Sequence, residues 1–416
     1  MIIITVSGGI RMSRKLRIVG FCLLLGVIGF SSALAADWPK FMGPTNDNWT
    51  SPETGLNKNW SKIKPKILWK INLSDNGYAS PAIVQGVLYI IDHQGKNDVV
   101  RAVDMKTGKD VWQYTYEEPA RFYWGYSYAT PTFDNGKLYT VSKSGFIHCL
   151  EAATGKNLWD FNIIKKLNGE LAEAGMTPSP LIDGDKLIVC PGGKSGVAAL
   201  NKNTGEVIWQ GGNGDQPYYA SPMIVTLNNK KQYLVFTGVS LLGIEPENGQ
   251  VLWRYPWETP YGDNAPNPLV IGDDQVFITS FIGCTVLRIE KDWSVTKVWE
   301  SATAIATDFS CPVFYNGYIY GNKKPNLICL NSKTGEIMWK QPAFGVAPLM
   351  MVDGVILGFN AGGDLVMIQP NTSKYQEIGR FPEPLGKGEV WNPPVLSDGK
   401  LIIRNKKTLA CIELKK

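Results

Sequence analysis

Apolar residues along this chain come in short runs broken by turn residues, without the long 3.6-residue periodicity of helices. A typical run starts with a small or polar residue and Pro, followed by two or three apolar residues. Examples are Ser80-Pro81-Ala-Ile-Val, Thr130-Pro131-Thr-Phe, Ser179-Pro180-Leu-Ile and Ser221-Pro222-Met-Ile; further starts stand at Pro268, Pro312, Pro348 and Pro394. Pro suits the first residue of a strand, where its missing N–H breaks no ladder. Turns such as Asp134-Asn135-Gly136-Lys137 and Ser397-Asp398-Gly399-Lys400 then lead into a second strand, as in Lys137-Leu-Tyr-Thr-Val.

Tryptophan marks a repeat. Trp69, Trp112, Trp159, Trp209, Trp253, Trp299 and Trp339 are spaced 43, 47, 50, 44, 46 and 40 residues apart. Five of them close the same phrase. It begins Ala102-Val-Asp104 and ends Thr107-Gly108-Lys-Asp-Val-Trp112, then recurs from Cys149 to Trp159, Ala199 to Trp209, Gly243 to Trp253 and Cys329 to Trp339. The unit before Trp299 is degenerate, with Lys291-Asp292-Trp293 in its turn, and the seventh ends at Gly379 without a Trp.

Each residue type has a physical reason. Ala, Gly and Cys interchange at the first position because a strand there passes close to a neighbour. Cys149, Cys329 and, by alignment, Cys411 are therefore expected as buried small apolar groups rather than redox or ligand groups. The Asp, Glu or Asn accepts hydrogen bonds from turn amides, and Thr-Gly closes a hairpin with Gly at positive φ. Trp is suited to wedging between neighbouring sheets. Each unit thus predicts four antiparallel strands in about 45 residues, and radial repetition of such sheets is a β-propeller.

Eight Pro-marked starts predict eight blades. The eighth unit stops three strands in, whereas Ile67-Leu68-Trp69-Lys70-Ile71 is a Trp strand with no unit of its own. The economical solution is an all-β, eight-bladed propeller over residues 67–416, closed by the N-terminal strand in the last blade. Deleting residues 36–60 is then expected to be mild, and deleting through Ile71 to expose an edge.

The start of the chain changes the charge picture. The formal net charge is +5, but residues 1–35 carry Arg11, Arg14, Lys15 and Arg17 and no acid, so the remainder is 5 − 4 = +1. That balance argues against a nucleic-acid partner. A basic stretch from Met12 to Arg17, an apolar Ile18–Phe30 and small residues through Ala35 predict a signal peptide over 1–35, with residues 1–11 as a start-site extension. Cleavage after Ala35 leaves an arm over 36–66 and no transmembrane span. An uncleaved anchor is the alternative. Cys22 follows Phe21 inside the apolar run, which argues against a lipid anchor. The expected destination is secreted or periplasmic, and the expected state a monomer. Asn48-Trp49-Thr50 matches a glycosylation acceptor. His93 and His148 are too few for a His-rich metal centre; His93 is expected to be solvated and His148 to sit on a blade face.

The Trp phrase resembles the tryptophan-docking repeat of the pyrroloquinoline-quinone (PQQ) propeller superfamily, over about residues 67–416. Trp38-Pro-Lys-Phe41-Met-Gly43-Pro44 and Ser51-Pro-Glu-Thr-Gly55-Leu56 resemble the mature start of secreted, enzyme-free PQQ-like repeat proteins. The superfamily includes quinoprotein dehydrogenases and the propeller lipoprotein of the outer-membrane protein assembly machine. For a dehydrogenase the resemblance implies PQQ over the channel, Ca²⁺ held by Glu, Asn and Asp, and a catalytic Asp. Asp263-Asn264 and Asp308 fall on the right rim for a cation, yet the chain has no vicinal Cys pair and no haem motif. The preferred expectation is a non-catalytic binding or scaffold module without cofactor, catalytic residue or metal; the alternative is a PQQ- and Ca-dependent quinoprotein dehydrogenase.

Aromatic residues cluster just before the Pro-marked strands. Tyr78, Phe122, Tyr123, Trp124, Tyr126, Tyr128, Tyr218, Tyr219, Tyr261, Phe309, Phe344 and Trp391 are expected to ring one channel mouth. Such a ring suits an envelope protein, a peptide, a glycan or a flat small ligand. The competing expectation is that most of these rings pack between blades.

Overall fold

The structure, a computed structural model, describes residues 37–44, 50–74, 77–120, 122, 124–212, 214–216, 218–346, 348–387 and 390–415. The signal segment, Cys22 and the Asn48-Trp49 pair lie outside these residues. Among the described residues no helix is long and apolar enough to cross a membrane.

Seven four-stranded sheets and one five-stranded sheet form eight blades. Blade one comprises Ala82–Val84, Val87–Gln94, Asn97–Asp104 and Asp110–Glu117 from the channel outward. The two middle strands are almost wholly buried because neighbouring blades cover both their faces, whereas the outer strand alternates exposed and half-buried positions. The closure expected from the sequence is present. Lys66–Asn72 pairs antiparallel with Thr408–Glu413, placing Trp69 opposite Cys411 in blade eight.

The repeat phrase acquires its geometry here. Ala102, Cys149, Ala199, Gly243, Cys329 and Cys411 are the direct cross-strand partners of Trp112, Trp159, Trp209, Trp253, Trp339 and Trp69, beside a bulge each time. A small residue leaves room for the indole opposite. A Cβ on Gly243 would lie 2.1 Å from the Trp253 ring nitrogen. All six described cysteines are free and buried. Asp104 Oδ1 accepts from the Lys106 and Thr107 amides at 3.1 and 2.8 Å, closing the turn as expected.

Each indole then reaches forward one blade. Nε1 of Trp69, Trp112, Trp159 and Trp209 donates to the carbonyls of Met105, Ala152, Lys202 and Pro246, at 2.9, 2.9, 3.2 and 3.1 Å. The ring lies on the turn glycine of that next blade. A Cβ on Gly155, where φ is +74°, would stand 2.5 Å from the Trp112 ring. Glycine is thus required twice over, by backbone and by neighbour. Trp253 departs from the pattern: the blade it faces carries the degenerate turn, and its Nε1 donates instead to Gln232 Oε1 of its own blade at 2.6 Å.

The arm is not an appendage. Trp38 exchanges backbone hydrogen bonds with Ile83 in the innermost strand of blade one, and Pro39 O accepts from Phe133 of blade two. Thr50–Ser51 adds a parallel strand to the innermost strand of blade seven, Leu349–Val352. These contacts cover inner strand edges that face the channel. Trp60, 2% exposed, lies where a Cβ on Gly379 would be, 2.8 Å from the ring. Gly379 holds the Trp position of blade seven, opposite Met367, so large and small have changed places and the arm restores the missing indole. Asn57 N–H donates to Leu414 O at 2.8 Å, the equivalent of the carbonyl that an outer-strand indole takes elsewhere. The expectation that removing residues 36–60 is mild is therefore withdrawn: Trp38, Ser51, Glu53, Leu56, Asn57 and Trp60 are all buried.

Candidate functional site

From blade two to blade six the residue before the strand-initiating Pro ties one blade to the next. Thr130 N–H donates to Ser179 Oγ, Ser179 N–H to Ser221 Oγ, Ser221 N–H to Asn267 Oδ1 and Asn267 N–H to Cys311 Sγ, at 2.9, 2.9, 3.3 and 3.3 Å. This belt explains why those positions are small and polar, and it holds the loops above them in a ring.

Those loops converge on a cavity of about 360 Å³, a size that suits a small-molecule site. Blade one contributes Tyr78, blade two Trp124 and Tyr128, blade three Ala174 and Thr177, and blade four Tyr219 and Ser221. Blade five supplies Asp263, Ala265 and Phe281, blade six Asp308, Phe309 and Cys311, and blade eight Trp391 and Pro393. Phe41 of the arm also lines it. Four of the rings form a continuous run: Phe309 to Trp391 at 4.5 Å, Trp391 stacked on Tyr78 at 4.9 Å, and Tyr78 to Tyr128 at 4.9 Å between centroids.

Of the aromatic candidates, Tyr78, Trp124, Tyr128, Tyr219, Phe309 and Trp391 line this cavity. The structure separates the others from it. Phe344 is 4% exposed and packs edge-on against Tyr375, so blade seven contributes no ring to the mouth. Tyr126 turns away and stacks on His93 at 3.6 Å. Tyr261 is among the exposed rings, Tyr218 is buried with its hydroxyl on Gly196 O at 2.9 Å, and Phe122 lies near Lys143. Tyr123 lies outside the described residues. The shared position before a Pro-marked strand placed these residues on one rim, but each side chain's direction depends on its neighbouring loop.

His93 corrects another expectation. It lies within Val87–Gln94, is buried, and holds Asp98 Oδ1 at 2.8 Å through Nδ1, with Tyr116 donating to the other oxygen at 3.1 Å. Burial raises the Asp98 carboxyl above its ordinary range despite these bonds. His148 is buried beside Tyr114 and Tyr116, and burial lowers its imidazole to about 4.

Two lining aromatics and one buried lysine escaped the sequence reading. Phe41 sits in the arm and Phe281 in a tight turn, neither beside a Pro-marked strand. Lys143 lies between two serines in a polar turn, yet is 1% exposed, donates to Ala174 O and places Nζ 3.7 Å from the Tyr128 centroid. Burial lowers its ammonium to about 7, against the pull of Asp98 and Glu118. Nothing in a Ser-Lys-Ser stretch signals that a neighbouring loop will cover it.

The Asp263 carboxyl is raised by burial, then by Glu173 and Asp308. Asn264 is fully buried, donating to Thr237 O and Trp257 O at 2.8 and 3.0 Å, while its Oδ1 has no hydrogen-bond partner among the described residues. A lone amide oxygen is a ligand for a hard cation, but no group of three or more His, Cys, Asp or Glu side chains is gathered as a metal set among the described residues. PQQ is a planar tricarboxylate. Among the described residues that line the cavity the charged ones are Asp263 and Asp308, which would repel its carboxylates, and the nearest cations, Lys143 and Lys406, lie against the Tyr128 and Trp391 rings. The residues do not fit that group.

The relatives found by comparison with known proteins include assembly factors and enzymes. The outer membrane protein assembly factor BamB of Moranella endobia is 22% identical over 318 residues, covering 71% of this chain and 67% of that protein. The quinohemoprotein alcohol dehydrogenase of Comamonas testosteroni is 29% identical over 160 residues, but these span 35% of this chain and only 21% of the enzyme. Among solved structures, BamB of Moraxella catarrhalis superposes with a TM-score of 0.61 at 18% identity, over 84% of this chain and 99% of that one. At that identity the superposition carries the fold alone. The family model described as outer membrane protein assembly factor BamB matches residues 96–341, well over half the chain, and with the eight closed blades it places this chain in that PQQ-like propeller family.

Proposed function

We propose that the chain is a non-catalytic binding propeller of the bacterial envelope, exported by its N-terminal segment, that holds a partner at the aromatic mouth. The observation that carries this reading is the mouth itself, where loops of five blades bring six of the aromatic candidates to one cavity. Large amphipathic rings are frequent binding anchors. The BamB relatives match along most of the chain, which supports a scaffold role beside other envelope proteins. The forward-reaching tryptophans are assigned a structural role, as blade-to-blade docking groups.

The test is the double substitution Trp124→Ala, Trp391→Ala. Melting should stay nearly unchanged, since Trp124 is half exposed, while capture of envelope proteins falls at least tenfold, about 1.4 kcal/mol. A large fall in stability with unaltered capture would remove the binding role. The quinoprotein relatives and the lone Asn264 oxygen point to a second reading, a PQQ- and Ca-dependent dehydrogenase, against which the acidic lining of the mouth stands. Adding PQQ and Ca²⁺ and following quinone absorbance and dye reduction decides it: dye reduction establishes the enzyme, and silence in both leaves the scaffold.

A further inference from the structure

Far from the mouth, residues 54–74 of the arm and closing strand carry Lys58, Lys62, Lys64, Lys66 and Lys70 and no Asp or Glu. Lys58 pairs with Asp353 at 3.1 Å. The other four are exposed and make no ion pair among the described residues. Two apolar side chains stand among them: Ile63, 49% exposed, between Lys62 and Lys64, and Leu68, 37% exposed, between Lys66 and Lys70. The turn presenting Ile63 is held in place. Its N–H donates to Asn59 O at 3.0 Å, its carbonyl accepts from Asn57 Nδ2 at 2.7 Å, and Trp60 is buried in the seam. Docking of Trp69 sets the strand against the turn of blade one, where Lys106 and Lys109 are also exposed. Nearby carboxylates are engaged: Asp104 by its own turn amides, Asp110 by Arg101 at 3.0 Å, and Glu413, opposite Lys66, by Lys415 N–H at 3.3 Å.

Lysine on an outer strand commonly guards an edge against pairing with another chain. The other blades guard theirs differently. Outer strands of blades one to three carry no Lys or Arg. Arg254, Lys297 and Arg380 of blades four, five and seven are each paired with a carboxylate, and blade six has a single cation, Lys340. The closing strand and the turn before it differ in gathering four lysines and no acid. Single-sign charge interleaved with exposed aliphatic side chains complements a surface that is anionic outside and apolar beneath. A nucleic acid would engage the lysines and leave Ile63 and Leu68 in water. We infer that this face docks the propeller on a bilayer of anionic phospholipid, with the lysines among the phosphates and Ile63 and Leu68 at the boundary of headgroups and acyl chains. The inference goes beyond the mouth and does not depend on it.

Residues Ala35–Lys416 form one compact unit, so the chain starting at Ala36 serves for the test, free of the apolar segment. Cosedimentation with phosphatidylglycerol vesicles should be saturable and should weaken as salt is added. Phosphatidylcholine vesicles should bind at least tenfold more weakly. Lys62→Gln, Lys64→Gln, Lys66→Gln and Lys70→Gln together should weaken binding to phosphatidylglycerol at least tenfold without lowering the melting temperature. The same loss of charge elsewhere, by Lys194→Gln, Lys291→Gln, Lys333→Gln and Lys340→Gln, should leave it within about twofold. Equal losses in the two variants would show that net charge and not this face is read. Binding of a short DNA duplex as tight as that of the vesicles would show a general polyanion surface and remove the membrane assignment. The absence of binding to phosphatidylglycerol overturns the inference outright. The comparison of vesicles and duplex uses unaltered protein, so it holds even where a variant misfolds.

Discussion

The interfaces among blades one to four and the seam between blades seven and eight solve one problem in different ways. In the first group a single indole fills the gap, donates to the next blade's carbonyl and lies on its turn glycine. At the seam those tasks are divided. Trp60 provides the ring over Gly379, Asn57 provides the donor to Leu414, and Glu53 accepts from Gly399 N–H at 2.6 Å while meeting Lys415 at 3.2 Å. The lesson is that a propeller interface needs a flat apolar body and one donor, from whichever segment can deliver them. A repeat supplies both from one residue, as Trp69 of the closing strand also does, whereas blade seven, with Gly379 in the Trp position, takes them from two residues of the arm.

Truncation has the largest expected effect on this contrast. Deleting residues 36–71 removes the outer strand of blade eight and should yield aggregated protein on size exclusion; a soluble folded product starting at Asn72 would refute the closure. Deleting only 36–60 leaves that strand but removes the seam's ring and donor, and should lower the melting temperature by at least 10 °C. An unchanged melting curve would return the arm to a passive role.

Single substitutions sharpen the comparison. Trp60→Ala should cost about 3–5 kcal/mol in urea unfolding, as should Trp209→Ala in the regular group. If Trp60→Ala costs under about 1 kcal/mol, the substituted indole is not equivalent to the repeated ones.

Between the regular blades, His148 gives a pH signature. Its folded pKa of about 4 lies below the ordinary 6.5, so between these values only the unfolded chain takes up the proton. The contribution is full above pH 6.5 and is lost as pH falls toward 4, by roughly 3 kcal/mol at most. His148→Gln should show a correspondingly smaller loss in urea midpoint from pH 7 to pH 4.5. Equal losses would show that the imidazole titrates normally.

The smallest effect separates two kinds of glycine. Gly155→Ala meets both a positive φ and the Trp112 ring, and should cost more than 2 kcal/mol (roughly, from backbone strain plus overpacking). Gly136→Ala has the same backbone strain but open space, and should cost only about 1–2 kcal/mol. Equal costs would mean that the indole contact contributes nothing.

Blade number, strand order and ring closure were legible because they follow from local chemistry, a Pro-marked start repeated eight times and a Trp phrase repeated five times. Pro starts a strand, an acceptor and Thr-Gly make a turn, and a small residue faces a Trp wherever the phrase occurs. The stranded Trp69 segment revealed the closure because it had no unit of its own. The rim of the mouth was legible in the same way, since loop position relative to Pro is local. The direction of each ring was not. Phe344 went into the core and Trp391 into the cavity from corresponding loops, because each loop's packing is decided by residues from other blades. Burial of Lys143 and His93, and the recruitment of Trp60 to the place of a missing indole, depend on segments distant in the chain. Sequence spacing carries the periodic contacts; contacts made once, between segments brought together only by the closed ring, exist in the tertiary structure alone.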